Sequence, residues 1–94
     1  MPLYIKFIGA LRHISGKTQL TLNCQENPSI KKLLMKLCLE FPSLEKTFTD
    51  QQLNDSRSNT LILVNGREIS ILNNLETKLK DGDEIVFVLV VHGG

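Results

Sequence analysis

A chain of 94 residues has room for one domain with a single modest core. Apolar residues make up 41% of it and charged residues 22%, the balance of a soluble globular domain. Eleven Lys and Arg against ten Asp and Glu leave a net charge of +1, which excludes the basic excess of a dedicated nucleic-acid binder. No apolar run approaches the ~20 residues that span a bilayer, and the first residues carry no apolar signal-peptide segment. The expected compartment is the cytoplasm.

In chain order, residues 3–8 place Leu3, Ile5 and Phe7 on one face of a strand. Residues 18–22 alternate again after a Ser15-Gly16-Lys17 turn, so the two segments predict an opening hairpin with a long loop. Beyond Asn27-Pro28-Ser29 the period changes. Ile30, Leu33, Leu34, Leu37, Cys38 and Phe41 recur at helical spacing and predict an amphipathic helix that Pro42 closes. Residues 44–58 are polar and predict an irregular or partly helical connection. Residues 60–64 read as a strand, Asn65-Gly66 as a hairpin turn, residues 68–71 as a short strand and Asp81-Gly82-Asp83 as a further turn. The last strand, residues 84–91, is apolar on consecutive positions, so it belongs in the middle of a sheet, parallel to the first strand. The expected architecture is α+β: a mixed sheet with one main helix on one face.

Chemistry-bearing constellations are scarce. The chain has no phosphate-binding glycine loop, no GxSxG and no HExxH. His13 and His92 lack partners at metal-ligand spacing, and the carboxylates Asp81, Asp83 and Glu84 coincide with a turn. Cys24 and Cys38 have no CxxC spacing. Cys38, between Leu37 and Leu39, reads as a small buried hydrophobe, while Cys24 lies in a loop. No catalytic residue and no metal site is expected.

The end of the chain differs. It reads His92-Gly93-Gly94, and glycine at both final positions arises by chance in about one chain in two hundred at ~7% usage. Two residues without side chains thread a narrow channel, which makes the Gly94 carboxylate a candidate reacting group. A carboxylate is ionised at neutral pH and attacks a phosphorus centre without a local base, but it becomes an acyl donor only after activation. With no phosphate-binding loop in the chain, a partner enzyme must bring ATP and its metal. His92 reads as part of the tail rather than as an acid or base.

Residues 63–68 (LVNGRE), residues 75–85 (LETKLKDGDEI) and the apolar strand that ends in Gly93-Gly94 together resemble the ubiquitin-like sulfur-carrier superfamily. The resemblance follows the whole chain in order of elements and is most specific in the last third. It implies a β-grasp domain over residues 1–91 with a flexible 92–94 tail. It also implies that an activating enzyme adenylates Gly94, and that the adenylate becomes a thiocarboxylate or an isopeptide link to lysine. Gly93 and His92 are then the neck that threads the partner's channel. The implied partners are the activating enzyme, a sulfur donor, and an acceptor enzyme or lysine-bearing targets, with no direct nucleic acid and no membrane. Many molybdopterin-type members carry a proline pair before the tail, where this chain reads Leu89-Val90-Val91-His92. The His-Gly-Gly ending is similar to the ubiquitin-related modifier branch, which favours tRNA thiolation or protein tagging. The alternatives are the small subunit of molybdopterin synthase, which delivers sulfur within a complex, and a plain interaction domain.

Two further expectations concern surfaces. Residues 1–36 carry six Lys and Arg and one acid, residues 37–94 five and nine; Glu76, Asp81, Asp83 and Glu84 are either solvated or steer a basic partner. In the last strand Ile85, Phe87, Leu89 and Val91 share one face and Val86, Val88 and Val90 the other, and Leu61 and Val64 are set against Ile62 in the third. One helix covers one face only. An apolar face including Val86, Val88 and Val90 therefore stays open as a docking surface, unless residues 44–58 fold over it.

Overall fold

The computed structural model describes residues 1–24, 26–52 and 58–91. The elements in chain order are β1 (Pro2–Ile8), α1 (Ala10–Ser15), β2 (Gln19–Asn23), α2 (Ile30–Glu40), α3 (Glu45–Gln52), β3 (Ser58–Val64), β4 (Arg67–Glu68) and β5 (Glu84–Val91). The strands form one sheet in the order β2-β1-β5-β3-β4. β5 is central: it runs parallel to β1, with Ile5 opposite Ile85 and Phe7 opposite Phe87, and antiparallel to β3, with Ile62 opposite Phe87. This is the place its uninterrupted apolar run demands, since an edge position would expose it to association. β1 and β2 pair antiparallel as the opening hairpin.

α2 begins at Ser29, whose hydroxyl accepts the Lys32 amide at 3.2 Å, an N-cap worth about 1 kcal/mol. Ile30, Leu33, Leu34 and Leu37 are buried and meet Leu3, Ile5, Phe7, Ile62, Ile85 and Phe87 in one core. Cys38 is half-buried against that core, as the helical period places it, and burial, assisted by the nearby Glu45, raises its thiol pKa. Phe41 ends the helix, and Pro42 starts a 3₁₀ turn.

Three expectations need correction, and one, the partly helical 44–58 connection, is met. The long hairpin loop contains α1, a six-residue helix with Leu11 buried. It is reached through Gly9 at φ 72°, a left-handed conformation that suits glycine. The polar 44–58 connection supplies α3. Leu44 and Phe48 enter the core on the same side as α2, with the Phe48 ring 5.6 Å from that of Phe87. Among the described residues this connection thickens the covered face and does not cross the open one. The strand expected over residues 68–71 is only two residues long, because the Glu68 carboxylate accepts the Ser70 amide and turns Ile69 into the core in a 3₁₀ turn. Val64 lies on the buried face with Ile62, and the partner of Leu61 on the open face is Leu63, as period two requires.

Candidate interaction face and C-terminal tail

The open face of the sheet is built by register. Across the three central strands, Ile8 stands beside Val88 and Val88 beside Leu61; one pleat away, Lys6 stands beside Val86 and Val86 beside Leu63. Neighbouring strands lie ~4.8 Å apart, so Ile8, Val88, Leu61, Val86 and Leu63 make one continuous apolar strip. Ile8 is exposed and the other four are half-buried. A continuous apolar strip of this kind is a candidate interaction site. Val86 and Val88 thus lie where the alternation places them. Val90 belongs to the same strand and pairs with Asn59 through its backbone; its side chain falls outside the described residues. Ile8, Leu61 and Leu63 are members that sequence reading missed. Their signal is the parity of each strand combined with the β1–β5 register.

The rim of the strip is polar and internally paired. Lys6 Nζ lies 3.2 Å from Glu84 Oε2. Asn65, at φ 51° in the β3–β4 turn, donates through Nδ2 to Asp83 Oδ1 at 2.9 Å and accepts the Glu84 amide at 2.9 Å. Asp83 Oδ2 accepts the Lys80 amide at 2.7 Å. Asp83 and Glu84 are therefore engaged within the chain, Asp83 as the tie between two turns, while Glu76 and Asp81 remain exposed. Among the described residues no three His, Cys, Asp or Glu side chains converge as metal ligands. None of the described helices is long and apolar enough to cross a membrane.

The described part of β5 ends beyond this strip, at Val91. Its last residue, Val91, pairs with Ser58 at the end of the sheet where β1 closes with Ile8. Three residues further on the chain reaches Gly94. The expected tail, His92, Gly93 and Gly94, lies outside the described residues.

A mixed sheet in this strand order, clasping one principal helix, is the β-grasp fold, and it places the chain among the ubiquitin-like sulfur carriers and modifiers. Residues 5–94 match the ThiS family, and the chain belongs to it. It is 30% identical over 100 residues to ubiquitin-related modifier 1 of Schizosaccharomyces pombe, covering 100% of both chains. The solution structure of small archaeal modifier protein 1 from Methanosarcina acetivorans is 30% identical and superimposes with a TM-score of 0.75, over 99% of this chain and 96% of that one. The crystal structure of SAMP1 from Haloferax volcanii matches at a TM-score of 0.78, over 100% of both chains at 21% identity, a likeness of fold.

Proposed function

We propose that this chain is a carrier whose own C-terminus is the chemical group, and that it is the substrate of an activating enzyme rather than a catalyst. The Gly94 carboxylate attacks the α-phosphorus of ATP held by that enzyme, an acyl-adenylate forms and pyrophosphate leaves. Sulfide-level sulfur from a donor then attacks the acyl carbon and expels AMP to give a thiocarboxylate, or a lysine amine attacks the same carbon and expels AMP, losing a proton, to give an isopeptide. ATP and its metal arrive with the partner, and the compartment is the cytoplasm. Similarity to ubiquitin-related modifier 1 supports protein tagging, and we take tRNA thiolation as the destination of the sulfur.

The observation that supports this reading is where the described part of the last strand stops, with Val91 paired to Ser58 at the end of the sheet. The central strand leaves the sheet beyond the open apolar strip, three residues before Gly94. A partner seated on Ile8, Val88 and Leu61 has the tail within a reach of three residues beyond Val91, and His92 and Gly93 span the remaining path into its channel. Holding a reacting group within reach makes activation effectively unimolecular. The test is one alanine added after Gly94. ATP–pyrophosphate exchange by the cognate activating enzyme should disappear, while the circular dichroism stays unchanged. Exchange that persists with the extended chain refutes the assignment.

A further inference from the structure

The outer face of α2, opposite the core, breaks a local rule. Its first turn holds Lys31 and Lys32 and no acid, although the positive end of a helix dipole favours carboxylates there. Lys36 follows one turn on. Between these lysines on the helix surface stand Met35, 60% exposed, and Leu39, 85% exposed. At i and i+4 they form one apolar ridge. Beside the ridge, under the β2–α2 connection, lies a cavity of about 450 Å³ lined by Cys24, Pro28, Leu33, Lys32 and Lys36, with Glu26 as its one acid. Lys36 Nζ donates to the Asn23 carbonyl at 3.2 Å, which holds that ammonium at the cavity mouth.

We infer that this face is a second docking surface, and that its partner is an acidic peptide segment carrying at least one large apolar side chain. Lys31, Lys32 and Lys36, against Glu26 in the cavity and Glu40 one turn beyond Lys36, leave the face net positive and set the sign of the partner. The cavity takes an apolar side chain against Pro28 and the aliphatic stems of Lys32 and Lys36, and Met35 and Leu39 extend the apolar surface along the helix. Local rules broken without internal compensation mark positions kept for function. Other occupants fit less well. The ridge is two residues wide and has no aromatic anchor, too little for a helix lying in a lipid interface, and it offers no ring for stacking nucleic-acid bases. Because α2 lies across the sheet from Ile8, Val88 and Leu61, both faces can be occupied at once. A bound acidic partner therefore leaves the tail free to react.

The test starts without a presumed sequence. Random twelve-residue peptides displayed on phage are selected against the full chain. The enriched peptides are then titrated calorimetrically into the wild type and into Lys32→Glu/Lys36→Glu. The double variant should stay folded, since Glu three residues after Ser29 completes a capping box and offsets the lost Lys36–Asn23 bond and the like charges set one turn apart, and should melt within a few degrees of the wild type. The expected peptides are net acidic with a large apolar residue, and bind the double variant about tenfold or more weakly, as close charge pairs are reversed. They should also slow alkylation of Cys24 in a Cys38→Ala chain, and bind Val88→Asp as tightly as wild type. Enriched peptides with no acidic excess, or equal binding to the double variant, overturn the inference. Sedimentation with phosphatidylserine-containing vesicles that the double variant loses reassigns the face to membranes and overturns it. Self-association lost in the double variant reassigns it to a second copy and overturns it likewise.

Discussion

Phe87 and Val88 are adjacent on β5 and face opposite sides of the sheet, so their substitution separates core from interface. Phe87 is fully buried, with the rings of Phe7 at 5.8 Å and Phe48 at 5.6 Å. Phe87→Ala removes that ring, which costs about 3–5 kcal/mol in a packed core. Two aromatic pairs, each worth ~0.5–1.5 kcal/mol, put it at the upper end of that range. A domain of this size is stable by roughly 5–14 kcal/mol, so the variant should lose a third or more of its stability. Val88 is half-buried between Ile8 and Leu61 on the open face. Val88→Asp keeps its carboxylate in water and costs about 1 kcal/mol, the span of strand preferences. In urea unfolding followed by far-ultraviolet circular dichroism, with an m-value of about 1–1.5 kcal/mol/M, the midpoint should fall by roughly 3 M for Phe87→Ala. For Val88→Asp it should fall by about 1 M or less. Val88→Asp should nevertheless abolish transfer at Gly94. Equal losses of stability for the two variants would refute the one-sided core, and normal transfer by folded Val88→Asp would refute docking on this strip.

Other consequences are smaller. Asn65→Ala removes the hydrogen bonds with Asp83 and Glu84 and sets at φ 51° a residue without the side-chain amide that lets Asn tolerate left-handed backbone, so thermal unfolding should show a loss of about 1–2 kcal/mol. Asn65→Gly should recover the backbone part of that loss. Burial, and secondarily Glu45, raises the Cys38 thiol pKa, so in a Cys24→Ser chain iodoacetamide should react more slowly with the folded than with the unfolded protein. Glu45→Gln should speed that reaction. The same shift has a definite sign in stability. Once pH passes the unfolded thiol's pKa, the unfolded state sheds a proton that the folded state keeps, so wild type should lose stability there more steeply than Cys38→Ala. Parallel pH profiles would refute it.

Strong periodicity carried much of this fold in the sequence itself. The consecutive apolar run of β5 dictated a central position, and the i, i+3, i+4 spacing from Ile30 dictated α2. What stayed hidden had no period to read. α1 is six residues with one buried side chain and no side-chain cap. α3 is polar apart from Phe48, whose burial depends on meeting Phe87, a contact between residues far apart in the chain. β4 stops where the Glu68 side chain competes for the backbone of Ser70. The open apolar strip was legible in part. Alternation revealed Val86 and Val88, but Ile8, Leu61 and Leu63 join them only through strand pairing. The lysines and apolar ridge on the outer face of α2 were visible as letters, and their proximity to the Cys24 cavity was not. The tail was read from the chemistry of two glycines and a carboxylate rather than from any pattern of folding.

The most direct measurement of the central claim is the intact mass of the wild-type chain after incubation with its activating enzyme, ATP and a sulfur donor. The account predicts a gain equal to the difference between one sulfur and one oxygen atom, located at Gly94 by fragmentation and absent when ATP is withheld. An unchanged mass with an enzyme that has been shown to be competent, or the same gain located anywhere other than Gly94, would contradict it.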